Sequence, residues 1–401
     1  FHTNLPVTLP ESLVRRLFAP DGTLRGSVTK FEQYRSCPFA YFSRYGLGLE
    51  ERPRYQFAAP DLGMLVHGAL RIIGERLLRE QKQWHDIPDA DVPAICRQAT
   101  DELAPQVQHD ILMSNAYFAQ IKERLIQTLT RTVRRLSAFS AVSDFHMEGL
   151  EKSFGRPGSP WEALRFTLKN GLQVVVTGQI DRIDTLRQGD HKYVVIIDYK
   201  SGRKQLDISQ IFTGLELQLL TYMFVALLNI GGDAIPAAVL YCYVRNDKVS
   251  LEYRVSEEDK KKLYDAKGKL TGFYLDDGQV MQQLDTSMQG FSDFLNLRLK
   301  KDGTLSDSSH TLYNEAGWSH LLDWAARQIR DIAGHIGDGD ISIHPILMGQ
   351  QAPCSYCPYR PVCRFDVAVA GNTYDAAGRE DTDEMIQKMF DEGDDEHGLD
   401  E

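Results

Sequence analysis

Cysteine is scarce here: the 401-residue chain carries six. That density excludes a disulfide-stapled scaffold and leaves the fold to a hydrophobic core, of which a chain this long can build a large one. No apolar run approaches the roughly 20 residues a membrane span needs, and no signal-peptide pattern opens the sequence. No Gly-x-x-x-x-Gly-Lys-[Ser/Thr] occurs, so the chain carries no ATP-hydrolysing P-loop of its own. It begins on Phe1 rather than Met, as expected of a piece of something longer. Net positive charge is also lacking: the balance is −11, which taken alone argues against a polyanionic partner. Its distribution changes that reading. Twelve acidic and two basic residues lie between Asp375 and Glu401, so the remainder is close to neutral and has room for local basic surfaces. The tail, residues 371–401, is expected to be a disordered, solvated terminus. A soluble, cytoplasmic protein with no membrane contact is the expectation.

What the sequence does have is one concentrated stretch. Val174 to Thr185 reads Val-Val-Val-Thr-Gly-Gln-Ile-Asp-Arg-Ile-Asp-Thr, and Tyr193 to Lys200 reads Tyr-Val-Val-Ile-Ile-Asp-Tyr-Lys. Two β-branched runs flank a polar, Gly189-containing segment, which predicts a hairpin. Folding there sets Asp181 opposite Asp198, about 5 Å apart at Cα. Asp198 and Lys200 leave one face of their strand and Tyr199 the other. Two carboxylates and a lysine at the end of an apolar strand would be costly unpaired. A divalent cation on hard oxygen ligands resolves the conflict; a surface salt bridge between Asp198 and Lys200 is the plainer alternative.

Around that hairpin, residues 1–26 form a lead-in with an amphipathic piece near Leu13 to Phe18. Thr29 and Glu32 have capping-box spacing for a short helix. Aromatics and arginines interleave from Tyr34 to Arg54, a composition that serves packing or stacking on nucleic acid. Leu62, Leu65, Val66, Ala69, Leu70, Ile73 and Leu77 make a helical stripe with His67 beside it; a histidine so placed is ordinarily a core or boundary residue. Helices follow from Asp91 to Ser140, the last carrying Lys122, Arg124, Arg131, Arg134 and Arg135, either phosphate contacts or a wet face. Strands are expected near Phe145 to Phe154, Trp161 to Leu168, Val239 to Arg245 and Val249 to Arg254. A helix from Ser209 to Leu228 places Gln218 and Tyr222 on one face, and residues 256–340 are expected to be mainly helical.

The second informative feature is Cys354-Ser-Tyr-Cys357-Pro-Tyr-Arg-Pro-Val-Cys363. Three thiols so close point to a metal, which needs a fourth ligand. Cys96 and Cys242 fall in apolar stretches and suit inert core thiols, whereas Cys37, before a proline at a helix end, resembles the other three in setting. Four thiolates fit Zn²⁺ or a [4Fe–4S] cluster, and their chemistry alone leaves both open.

Taken together, an early Cys, a His, Gly-x-Ile-Asp, Ile-Asp-Tyr-Lys, Gln-x-x-x-Tyr and a final Cys-x2-Cys-x5-Cys resemble, in order, the RecB-type nucleases of the PD-(D/E)xK superfamily. The arrangement is most similar to the AddB type of helicase–nuclease component, over roughly Ser27 to Asp366. The resemblance implies an α/β fold, a restriction-endonuclease-like mixed sheet flanked by helices with helical insertions, over residues 27–370, with the active site on the sheet edge. It implies a Mg²⁺-dependent exonuclease (Mn²⁺ or Ca²⁺ able to substitute in binding) in double-strand break processing. Its substrate is single-stranded DNA, of the 5′-ended strand, in a nuclease channel, and its partner is an AddA-type helicase–nuclease. By matching motifs it implies His67, Asp181, Asp198 and the Tyr199 carbonyl as metal ligands and Lys200 at the attacking water. Gln218 and Tyr222 would orient Lys200 or the DNA backbone; Asp184, three residues past Asp181, faces the opposite side of the strand and is expected to support the site or to be structural. It also implies a [4Fe–4S] cluster on Cys37, Cys354, Cys357 and Cys363, pinning a loop of more than 300 residues. A free-standing 5′ exonuclease of the same superfamily and an inactive DNA-binding scaffold are the rival readings.

Overall fold

The computed structural model describes residues 6–52, 57, 59–107, 111–202, 206–232, 234–244, 268–306, 310–369, 371–378 and 380–394. Its axis is β4 (Gln173–Gln188), a 16-residue strand that changes partners midway. The first half lies between β1 (Thr23–Ser27), parallel to it, and the short β3 (Arg165–Thr167), antiparallel. From Gly178 onward its neighbours are β2 (His146–Phe154) and β5 (His191–Lys200), both antiparallel. The sheet continues through β6 (Ala234–Tyr243), parallel to β5, then β7 (Thr271–Leu275) and β8 (Leu312–Tyr313). The β4–β5 hairpin closes on Gly189 and Asp190, since Gln188 pairs with His191; Gly189 takes φ 61°, a conformation a side chain would resist.

Val194 to Ile197 and Ala237 to Tyr241 are buried without a break, as strands covered on both faces must be. The cover comes from helices: α2 (Val28–Ser36) crosses β4 and runs on into the single turn α3 (Pro38–Tyr41). Helix α8 (Gln218–Ile230) lies on β5 and β6, and α4 (Ala59–Arg79) packs on β2. Outside α4, α5 (Val92–Leu103) and α6 (Ala116–Ala141) add a helical layer. The α/β architecture, a central mixed sheet flanked by helices with helical insertions, is as expected.

Several expectations are corrected. The lead-in is part of the fold: α1 (Glu11–Phe18) packs on it and β1 supplies a sheet strand. The expected helix from Ser209 is two, α7 (Ile208–Phe212) and α8, broken where Gly214 adopts φ 78°. Residues 268–314 are not mainly helical: besides α9 (Gly278–Leu284) they hold β7, β8 and irregular chain, and the long helix α10 (Glu315–Gly337) follows. The strand expected at Val249 to Arg254 lies outside the described residues. The acidic end, expected to be disordered, holds a helix. After the single turn α11 (Arg360–Cys363), helix α12 (Thr382–Asp394) docks on α10 and α7. Met385 and Met389 are buried there and Phe390 stacks on His320 at 4.8 Å. The apolar i, i+4 stripe outweighs the charge of the exposed face.

Candidate active site

The hairpin sets Arg182 opposite Ile197, which brings Asp181 opposite Asp198 one step further on. Asp181 Oδ2 accepts the Tyr199 N–H at 2.8 Å and lies 3.2 Å from His67 Nδ1, carried by α4. The Lys200 ammonium is 2.6 Å from Asp198 Oδ2 and donates to Gln218 Oε1 at 3.0 Å. The Gln218 amide nitrogen in turn donates to Asp198 Oδ1 at 3.2 Å and to the Tyr222 hydroxyl at 3.0 Å. His67, Asp181, Asp198, Lys200, Gln218 and Tyr222 are thus one contact network. It sits at the end of β5 and the middle of β4, both interior strands, rather than on the lateral edge of the sheet. The buried Tyr199 ring lies beside the Arg182 guanidinium and edge-on to the His67 ring at 6.1 Å, while its backbone N–H is the group that meets Asp181.

The network is short of positive charge. Asp198 is 2% exposed. The Lys200 ammonium, 2.6 Å from its Oδ2, is the one cation paired with it among the described residues. Burial, then the neighbouring Asp181, push its carboxyl up to about 6 despite Lys200. For His67 burial lowers proton affinity, but the Asp181 carboxylate and then Asp198 outweigh it, so the net shift is upward.

A residue missed in the sequence joins the group. Leu150 pairs with Arg182 and Lys152 with Ile180, so Glu151 falls opposite Asp181, at φ 48°. Burial, then repulsion from Asp181, raise it to about 7, and the Gln179 amide donates to it. The available signal was a glutamate inside a predicted strand. Crowded carboxylates with one imidazole beside them fit a divalent cation, although no three His, Cys, Asp or Glu side chains among the described residues are gathered as a closed single-ion site.

The close approach of Tyr222 to β4 needs glycine at position 178. A Cβ on Gly178 would lie 2.4 Å from the Phe154 ring and 3.1 Å from that of Tyr222. Gly178→Ala is expected to cost roughly 1–3 kcal/mol by overpacking and to displace Tyr222 from Gln218; thermal unfolding together with cleavage rate checks both.

On the far side of β4, Asp184 forms a two-pronged pair with Arg182, both bonds 2.7 Å, and Arg182 lies over the Trp84 ring. Asp184 is therefore structural. The basic residues of α6 are largely committed to the fold: Lys122 to Asp101 at 2.8 Å, Arg134 to Asp89 at 2.7 Å, and Arg135 to the Gly268 and Asp293 carbonyls. Tyr34 and Tyr41 are buried core rings, so packing accounts for them; Arg54 lies outside the described residues.

The four cysteines lie elsewhere, around a common cavity but not gathered as a closed ligand group among the described residues. Cys37, Cys354, Cys357 and Cys363 line one cavity of about 140 Å³ with Phe39, Pro353 and Phe365. Backbone bonds from Ile346 N to Ser36 O and from Phe39 N to Ser342 O, 3.0 and 3.2 Å, sew the two ends of the chain together beside it. Burial raises the Cys37 thiol to about 11, with Cys354 and Cys357 adding to the effect. Cys96 and Cys242 are buried in the core.

The PD-(D/E)XK nuclease superfamily profile matches residues 25–364. Curated relatives carry the name of the B component of an ATP-dependent helicase/deoxyribonuclease. The one from Bacillus pumilus is 32% identical over 400 residues, covering 98% of this chain and 34% of that protein. In Bacillus subtilis the figures are 34% over 379 residues, 93% and 32%; in Moorella thermoacetica they are 36% over 359 residues, 88% and 31%. The chain spans about a third of the length of these relatives. No helix among the described residues is long and apolar enough to cross a membrane. The match across the hairpin, its two aspartates and the cysteine segment makes this chain a member of the PD-(D/E)XK nuclease superfamily.

Proposed function

We propose that the chain is the metal-dependent DNA-cutting part of a helicase–nuclease, hydrolysing phosphodiester bonds of the 5′-ended single strand, in partnership with an AddA-type helicase–nuclease chain. The observation that carries the reading is the buried Asp181–Asp198 pair with Lys200 held in place beside it. Asp181, Asp198 and His67, with the Tyr199 carbonyl, are the residues that would hold the ion, and Glu151 stands within reach of the same charge. When bound, Mg²⁺ supplies the positive charge that a phosphodiester needs as its bond to the 3′ oxygen breaks. Lys200, with a fifth of its side chain exposed, offers N–H donors to an attacking water or a phosphate oxygen. Gln218 fixes the lysine through one end of its amide and Asp198 through the other. Tyr222 holds that amide from behind.

The four cysteines are proposed to hold a [4Fe–4S] cluster, with zinc as the alternative. Four thiols around one cavity are the ligand set either group takes, and the cluster is the one the family resemblance implies. The cluster would act as a pin between the start and end of the fold. The name shared by the curated relatives supports the helicase partnership.

The test is cleavage of end-labelled single-stranded DNA with Mg²⁺ and with EDTA, on protein purified without oxygen. Products that form only with metal, from a brown protein, are the expected result. Products that form equally in EDTA sink the nuclease reading, and a colourless, zinc-loaded protein sinks the cluster.

A further inference from the structure

Helix α8 begins with a difficulty. Gln218 is its first residue, and Leu217, at the capping position, has no side chain able to accept the free N–H groups of the first turn. The acceptor comes from 185 residues away: Glu32 Oε1 takes the Leu217 N–H at 2.8 Å and the Gln218 N–H at 3.1 Å. A carboxylate at a helix N-terminus is favoured by both the hydrogen bonds and the helix dipole. The capping box expected between Thr29 and Glu32 is accordingly absent: α2 has no side-chain cap, and Glu32 serves another helix. One turn further along α2, Arg35 donates to the Thr213 carbonyl at 2.8 Å and pairs with Asp375 at 2.5 Å. Glu32 and Arg35, three apart on one face, therefore grip both ends of the Thr213–Gln218 connection. Gly214 within it is bent to φ 78°. The same helix ends at Cys37, in the wall of the four-cysteine cavity.

The geometry points to Glu32 as a positioning residue of the nuclease: it fixes the first turn of α8 so that the Gln218 amide is aimed at Lys200 and Asp198, and it makes α2 a mechanical link from the cysteine cavity to that amide. Glu32 touches none of the reacting groups. Its effect runs through Gln218, whose two amide ends hold the lysine and the aspartate at 3.0 and 3.2 Å. Releasing the first turn lets that amide drift, and errors of about 1 Å in such groups cost about a hundredfold in rate. This inference rests on the nuclease reading above.

The experiment is single-turnover cleavage of end-labelled single-stranded DNA with Mg²⁺. It uses the chain as purified with any bound partner, and DNA affinity and thermal unfolding are measured alongside. Glu32→Ala should slow the cleavage step tenfold to about a hundredfold while DNA affinity stays within about twofold. Glu32→Gln, which keeps an acceptor oxygen, should recover most of the rate. Glu32→Asp, one methylene short, should fall between, and it carries the comparison if the alanine variant does not fold. The decisive arm is Glu32→Ala combined with Gln218→Ala: the double variant should be no slower than Gln218→Ala alone, because one residue works through the other. Full-rate cleavage by the alanine or aspartate variant overturns the inference. So do effects of Glu32 and Gln218 that multiply. A wild-type chain that cuts nothing with Mg²⁺ instead fails the nuclease reading itself, a result distinct from either.

Discussion

Asp198→Ala should abolish metal-dependent cleavage, by about a thousandfold or more, while DNA binding survives and the metal-free fold becomes no weaker. The loss follows from geometry. Asp198 is the point at which Asp181 across the hairpin, Lys200 two residues on and Gln218 from α8 converge. The retained fold follows from electrostatics. A carboxylate that is 2% exposed, beside a second one, is held up to about 6 because its charged form is disfavoured in the fold. A group whose folded pKa is raised gives stability that is complete below its unfolded value and is lost as pH rises through the folded one. The metal-free wild type should therefore lose ground to Asp198→Ala on the alkaline side of about 6, and the gap should close below it. Mg²⁺ should restore the wild type at alkaline pH and leave the variant unmoved. Thermal unfolding of both proteins in EDTA and in Mg²⁺ across pH reads all of this. A variant that melts far below the wild type at every pH would make Asp198 a structural residue.

Asp184→Ala should do the reverse, hurting the fold before the chemistry. Arg182 and Asp184 are 1% and 2% exposed and bound by two 2.7 Å hydrogen bonds. Removing the aspartate strands a buried guanidinium, a loss of about 3–5 kcal/mol, or on the order of 10 °C in unfolding midpoint. Replacing both partners by apolar residues of similar volume, Arg182→Met with Asp184→Leu, should recover most of that. Desolvating an ion pair costs about as much as the pair returns. A single variant as stable as the wild type, or a double variant worse than the single, would show that the pair is not the source of stability.

The parts legible in the sequence were those whose partners are near in the chain. The β4–β5 hairpin announced itself through β-branched runs either side of Gly189, so Asp181, Asp198 and Lys200 could be placed together by register alone. Gln218 and Tyr222 were legible as a helical pair. Glu32 misled because Thr29–Glu32 has the spacing of a local cap, while the donors it serves lie at Leu217 and Gln218. Gly214 was hidden within an apolar helical pattern, and the break it makes is fixed by α2 packing against the connection. Glu151 went unnoticed because its meaning depends on the partner opposite, Asp181. In the acidic tail, net charge concealed Met385 and Met389, whose contribution depends on α10 being there to receive them.

The cysteine cavity has a consequence for how the molecule is made. Its first wall, Cys37, is added to the growing chain more than 300 residues before Cys354, an interval of about a quarter of a minute even at about 20 residues per second. Throughout that time α2 has no cysteine companions, and for much of it not even the Leu217–Gln218 turn that Glu32 clasps. Synthesis itself thus orders assembly: the hairpin can close as soon as Lys200 emerges, and the thiol seam only after Cys363. A nascent chain therefore owns its acidic pair before it owns the cysteine seam, and a truncated product lacking the last cysteines would carry Asp181, Asp198 and Lys200 on an unfastened frame.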